Sequence, residues 1–468
     1  MTRRVQRSYK YRWYPTDEQA AELARTFGCV RLVYIKALEA RTAAWHTEQR
    51  RVGYVGTSAL LTGWKRTNEL AFLNDVSSVP LQQALRHLQA AFAAFWNKSA
   101  GYPRFKAKKR SRASAEYTRS AFRYRDGQLT LAKLEGPLAI VWSRPLPRGA
   151  EPSTVTVSRD AAGRWFVTLL VKDAIAPPPP AFHAETGEVQ VVGLDAGLTS
   201  LVTLSTGEKL ANPRHERRDR QRLTKAQRGL ARKQPGSRNW ERARVKVARV
   251  HIRISDRRRD HLHQLTARLV RENQAVVIED LHVRGMTANH TLARAISDAA
   301  WSELRRQLEY KCAWYGRDLV VVDRWLPSSK TCSVCGRLAV AVPLAVRAWA
   351  CQACGAQHDR DVNAAKNILA AGLAVAACGA GVRPQRESSR KGRPATKQET
   401  QWTTTGIPRI EGGGRGQGRT SSIRTGRCSC RDLVQASAIQ PASSASATVQ
   451  GEGRRPATTS VKASSSAR

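Results

Sequence analysis

Cys332, Cys335, Cys351 and Cys354 form two Cys-x-x-Cys pairs separated by fifteen residues. This spacing suits a four-thiolate tetrahedral zinc site, in which each pair bends around the ion and the intervening segment returns the chain. Gly336 and Gly355 directly follow the pairs, where such turns need permissive backbone. Four thiolates fill the coordination sphere and leave no position for water. The zinc is therefore expected to be structural, and any catalysis must come from other residues.

Three carboxylates are the candidates. Asp195 sits in VVGLDAGL at the end of an apolar strand, Glu279 ends AVVIE, and Asp361 stands just before the helical pattern NAAKNIL. Adjacent strand residues face opposite ways, so Glu279 and Asp280 cannot both serve one site. Three acids on neighbouring elements could hold two divalent metals, one activating a water and the other stabilising the leaving 3′ oxygen of a phosphodiester. Oxygen ligands favour Mg²⁺ or Mn²⁺ over a second zinc. Each acid also has a plainer reading. An Asp before a helix is suited to N-capping, which Asp359 or Asp361 could provide, and a strand-terminal acid can simply be solvated.

The elements that must position these residues are legible as a pattern. Residues 16–100 carry apolar residues at helical intervals, with Thr16 and Glu18 at the first start and Pro80 opening a later helix. From about 115 to 173 the pattern becomes short alternating segments, with Asp126-Gly127 as a hairpin turn. APPPP (176–180) predicts a stiff, extended linker. Residues 189–210 predict a hairpin, 214–259 helices broken near Pro235-Gly236, 275–281 a strand, 291–316 helix, and DLVVVDRWL (318–326) a further strand. Strands interleaved with helices predict an α/β core with a mixed sheet.

Charge points to a polyanionic partner. The 468 residues carry 79 Lys+Arg against 37 Asp+Glu, a net charge of +42, which suits phosphate backbones and salt-sensitive binding. Between 214 and 259 there are 18 Lys/Arg and 4 Asp/Glu, an excess that repels itself unless a polyanion lies against it. In GYPRFKAKKRSR (101–112), Tyr102 and Phe105 add stacking faces to the charges of Arg104, Lys106, Lys108 and Lys109. The competing reading of that segment is a solvated loop. Anionic lipid is the competing polyanion. The N-terminus, however, has no secretory apolar region, and the longest apolar run, residues 368–382, is short of a bilayer span. The expectation is no membrane association and a cytoplasmic, nucleoid-associated location. Of the nine cysteines, Cys29, Cys312, Cys378, Cys428 and Cys430 form no framework, which argues against a disulfide scaffold. Beyond about 380 the Ser-, Gly- and Arg-rich composition predicts disorder.

GLDAGL, then VVIEDL, then CSVCG and CQACGAQHDRDVNAAKNI, in that order, resemble the TnpB (OrfB) family of insertion-sequence proteins, relatives of type V CRISPR effectors. GYPRFKAKK, ISDAAWSELRRQLEYKCAWYG (296–316) and PSSKTC add to the likeness, which runs to about residue 375. The resemblance implies a multidomain α/β protein. Residues 1–15 and 115–175 would form a β wedge domain carrying a helical recognition module (16–114). After a linker (176–188), residues 189–329 and 356–379 would form a RuvC-like, RNase H-type nuclease core with a zinc ribbon (330–355) inserted, and 380–468 a basic tail. Asp195, Glu279 and Asp361 fall on the three motif acids of such a core. The implied activity is metal-dependent cleavage of double-stranded DNA directed by a guide RNA from the element's end, with base pairing reading sequence and the protein holding the heteroduplex by shape and charge. A non-cleaving regulator of transposition or guide-directed repressor is the alternative. A zinc-ribbon protein on ribosomal RNA would leave the acids idle.

Overall fold

The computed structural model describes residues 3–108, 111–183, 185–339, 343 and 345–377. The predicted tail, its cysteines and Lys109 lie outside the described residues.

The chain opens with strand β1 (Arg3–Trp13) and a long helix α1 (Asp17–Glu48). Thr16 and Gln19 form a reciprocal capping box that satisfies the first orphan amides of α1. Helices α2 (Tyr54–Trp64) and α3 (Ser78–Trp96) pack on α1. The leucine and aromatic stripe of α3 supplies Leu81, Leu85, Leu88 and Phe92 to a core shared with Val33, Leu38 and Leu73.

Strands β2 (Ala113–Thr118), β3 (Phe122–Arg125), β4 (Gln128–Leu131), β5 (Ile140–Val141), β6 (Pro152–Arg159) and β7 (Trp165–Ile175) follow. With β1 they build a five-stranded antiparallel sheet of order β2-β6-β7-β1-β5, while β3 and β4 form the hairpin expected at Asp126-Gly127. Both turn residues have positive φ, 52° and 76°, as a two-residue turn matched to strand twist requires. Alternate residues Tyr9, Tyr11 and Trp13 of β1 turn into one core with Val155, Val157, Val167 and Leu169.

The second sheet contains β8 (Val191–Ala196), β9 (Ser200–Leu204), β10 (Lys209–Ala211), β11 (Ala275–Glu279) and β12 (Asp318–Val322), in the order β10-β9-β8-β11-β12. β8, β11 and β12 are parallel, and β9 and β10 are antiparallel additions. Between its two halves the chain forms the basic helices α4 (His215–Ala231) and α5 (Arg238–Glu272), separated at Gly236, whose φ is +87°. α6 (Val283–Met286), α7 (Ala293–Ala299) and α8 (Trp301–Tyr315) come after β11. Ala300, in the left-handed region, divides α7 from α8. Last come β13 (Ala348–Ala350), β14 (Gln357–Asp359) and α9 (Arg360–Ala377).

The sheet is covered on both faces, so its parallel strands read as continuous apolar runs. Val192, Leu194, Val276 and Ile278 meet residues of α5 and α8. On the other face Val277, Val320 and Val322 meet Ile368 of α9. The strand expected over 318–326 ends at Val322. Asp323 caps a turn there by accepting the Trp325 amide at 2.8 Å, and its carbonyl accepts the Leu326 amide. Among the described residues no helix is long and apolar enough to cross a membrane.

Candidate active site

Order reverses in the second sheet at β8 and β11: the chain leaves β8 toward β9 and later returns to the other side of β8 as β11. The carboxyl ends of strands flanking such a reversal leave a crevice where ligands bind in open α/β sheets. Asp195 and Glu279 occupy those ends. Leu194 pairs with Ile278, and both point into the α5–α8 core. The next residue on each strand, Asp195 and Glu279, therefore faces the opposite side, toward α9.

Asp361, in the first turn of α9, completes the group. Two glycines let α9 approach its strands closely: Gly193 of β8 abuts Ala365, and Gly372 of α9 abuts the Val277 side chain. Moving two residues along β8 reaches Asp195, and moving one turn back along α9 reaches Asp361. The three carboxylates lie near enough for their charges to act on Asp195. Burial pushes the Asp195 carboxyl up to about 7, with the charges of Glu279 and Asp361 adding to the rise and those of Arg360 and Arg347 opposing it. Burial also raises Glu279, against the stabilising hydroxyl of Ser328, which donates to Oε1 at 2.7 Å. Asp361 is held by Arg347 at 3.2 Å.

The neighbouring acids are otherwise employed. Asp359 caps α9, accepting the amides of Asp361 and Val362 at 3.1 Å each, and pairs with Lys209 at 2.6 Å. Asp280 points away, between Arg305 at 2.5 Å and Arg324, and the Arg305 hydrogen bond holds its carboxyl below the usual range. Half-buried, mutually repelling carboxylates with an unspent proton are a fit for hard divalent cations, which take oxygen donors.

Cys332, Cys335, Cys351 and Cys354 form a second cluster, with all four sulfurs within 4.8 Å of one another. Each pair closes the same turn. The amides of Gly336 and Gly355 donate to the carbonyls of Cys332 and Cys351 at 2.9 and 2.8 Å, with φ at 74° for both glycines. The amides of Cys354 and Ala353 lower the Cys351 thiol toward thiolate. Soft sulfur donors in a closed set of four fit zinc. His358 was not anticipated. It is buried with Nε2 3.0 Å from Cys332 Sγ, a contact that steadies a thiolate when that nitrogen carries the proton.

The basic segment after α3 is divided in its roles. Tyr102 packs edge-on against Phe92 and Phe95, and its hydroxyl shares a hydrogen bond with Thr42 at 2.8 Å. Lys106 lies 3.8 Å over the Tyr34 ring, and burial lowers its ammonium. These two strap the segment to the helices, and Tyr102, like Arg104, Phe105 and Lys108, is still exposed to solvent. A cleft of about 490 Å³ between the first sheet and α5 is lined by Arg12, Tyr14, Arg164, Arg249 and Arg253. Its concentration of guanidinium groups suits phosphates.

A family profile described as "Probable transposase" matches residues 164–290. A second, "Cas12f1-like, TNB domain", matches 301–368, and a third, "Helix-turn-helix domain", matches 1–50. Over that last range this chain has a strand and one long helix. A Streptomyces pristinaespiralis protein with the name "Putative RNA-guided DNA endonuclease" is 69% identical over 410 residues, spanning 88% of this chain and all of the relative. Its namesake InsQ of Escherichia coli (strain K12) is 32% identical over 417 residues, spanning 84% of this chain and 97% of that one. A chain in the cryo-EM structure of a Cas12f1–sgRNA–target DNA complex aligns with TM-score 0.45 at 11% identity, covering 78% of this chain and 98% of that one.

Proposed function

The chain belongs to the TnpB (OrfB) family, and from that premise we propose that it is a divalent-metal-dependent DNA endonuclease directed by a guide RNA. The observation that carries the reading is the convergence of Asp195, Glu279 and Asp361 at the strand-order reversal, with the Asp195 proton retained up to about 7.

In this reading the second sheet with α9 is a RuvC-like, RNase H-type core. The first sheet is the wedge domain, α1–α3 the recognition module, and the four-cysteine unit an inserted zinc ribbon. Mg²⁺ or Mn²⁺ held by the three carboxylates supplies Lewis-acid chemistry for phosphodiester hydrolysis. The chain's part is to hold the oxygens. Asp195 would have to be ionised to contribute, Glu279 is oriented by the Ser328 hydroxyl, and Asp361, held by Arg347, would supply the third carboxylate. Asp359, spent as a cap, takes no role in the ligand set. The zinc, ligated by Cys332, Cys335, Cys351 and Cys354, is structural.

The basic surfaces serve the nucleic acids. α4, α5, the arginine-lined cleft and outward-facing Arg104, Phe105 and Lys108 bind guide RNA and target DNA through phosphates and stacked bases. The guide comes from the end of the encoding element.

The test is to purify the protein with its bound RNA, sequence that RNA, and replace its guide segment. Cutting of plasmids that match the new guide, in Mg²⁺ and not in chelator, is expected. A discrete bound RNA without cutting would favour a non-cleaving regulator, and ribosomal RNA alone would overturn guided recognition.

A further inference from the structure

Glu279 receives a single side-chain hydrogen bond among the described residues, from Ser328. Ser328 is itself buried and lies in a turn closed by the Lys330 and Thr331 amides on the Pro327 carbonyl, at 3.0 and 3.1 Å. Two asparagines one turn apart on α9 grip that turn. Asn367 Nδ2 donates to the Ser328 and Thr331 carbonyls at 2.7 and 2.6 Å. Asn363 Nδ2 donates to the Thr331 carbonyl at 2.7 Å, and its Oδ1 accepts the Ser333 amide at 2.9 Å. Ser333 lies inside the first zinc knuckle, between Cys332 and Cys335. Asn363 is 1% exposed, a depth at which an amide is retained only with its partners satisfied.

We propose that Ser328 is a positioning residue for Glu279 and that Asn363 and Asn367 fix Ser328, so that the first zinc knuckle and the carboxylate site share one rigid connection. This rests on the reading of Glu279 as a divalent-metal ligand. A carboxylate with three rotatable bonds loses ordering entropy on capture of an ion. The hydroxyl holds Glu279 in place beforehand, and the asparagines keep the hydroxyl from drifting with the turn. Outer partners of this kind change metal affinity by about 10- to 100-fold in other proteins.

The experiment uses the full chain as wild type, Ser328→Ala, Ser328→Thr, Asn367→Ala and Asp195→Ala. Mn²⁺ binding is followed by the spectroscopic signal of the free ion without DNA, alongside zinc content and melting temperature. Ser328→Ala is expected to weaken Mn²⁺ binding about tenfold with zinc content unchanged. Ser328→Thr should restore it to within about threefold, because it keeps the hydroxyl. Asn367→Ala should shift binding in the same direction as Ser328→Ala, and it carries the test if the alanine at 328 fails to fold. In guided cleavage, the Mn²⁺ needed for half-maximal rate should rise while the rate at saturating metal changes little. Wild-type Mn²⁺ affinity in Ser328→Ala and Asn367→Ala, with loss in Asp195→Ala, overturns the positioning role alone. Unchanged affinity in Asp195→Ala removes the carboxylate site itself, and the inference with it.

Discussion

Gly193 of β8 and Ala365 of α9 are in backbone contact: a Cβ on Gly193 would fall 2.3 Å from the Ala365 carbonyl oxygen and 2.7 Å from the Leu369 amide nitrogen. No side-chain rotation relieves a clash with backbone. This contact sets how closely the helix bearing Asp361 approaches the strand bearing Asp195. Gly193→Ala should therefore cost about 1–3 kcal/mol, the usual penalty of overpacking, and should depress cleavage beyond what its stability explains. Gly229→Ala, where an added Cβ meets nothing within 4 Å, should instead stabilise α4 by about 0.5–1 kcal/mol. Denaturant unfolding of both variants checks this. A Gly193→Ala protein as stable and active as wild type would show that the close approach is not required.

The division of labour between Asp361 and Asp359 gives a second test. Asp361→Ala and Asp195→Ala should abolish DNA cutting in Mg²⁺ while guide-RNA binding survives. Asp359→Ala removes a helix cap and the Lys209 pair. It should lower stability by roughly 1 kcal/mol and leave cutting within an order of magnitude of wild type. Reversal of these two outcomes would move the third ligand to Asp359.

For the cysteine cluster, Cys351→Ser should release zinc and lower the melting temperature, because structural zinc contributes folding free energy directly. His358→Ala keeps all four thiolates, so zinc should remain bound after purification but transfer to a chelator roughly 10-fold faster or more. Transfer rates equal to wild type would reduce His358 to a packing residue against Trp349, whose ring lies 4.7 Å away.

What the sequence shows and hides follows from the range of the interactions involved. The β3–β4 hairpin is legible at Asp126-Gly127 because two adjacent residues set it. The helix break at Pro235-Gly236 is local in the same sense. Asp195, Glu279 and Asp361 stand out by type and position, but their convergence depends on Gly193 meeting Ala365, far apart in the chain. Ser328, Asn363 and Asn367 pass unnoticed because their significance lies in partners on other elements. The Asn363/Asn367 pair, one helical turn apart in NAAKN, was the available signal. Over 318–326 the apolar run overstates β12, since Asp323 diverts the chain into a turn. At 101–108 composition cannot show which residues tertiary contacts hold: Lys106 lies over the Tyr34 ring, and Tyr102 packs on Phe92 while staying exposed like Phe105.

The Asp195 proton makes the site pH-dependent in a defined direction. In the metal-free chain its carboxyl is raised from 3.8 to about 7, so below about 7 an incoming cation must displace a proton. Mn²⁺ affinity should thus rise about tenfold per pH unit up to about 7 and flatten above it. Glu279, also raised by burial, steepens the lower part of the curve. The same shift fixes the sign for stability. A folded-state value above the unfolded one contributes stability that is fully present below about pH 4 and lost as pH rises through about 7. The metal-free protein should lose that component on going from pH 4 to 7, and Asp195→Asn, which cannot titrate, should not. Mn²⁺ titrations and melting curves across this range decide it. An equally steep affinity profile in Asp195→Asn would place the proton on another group.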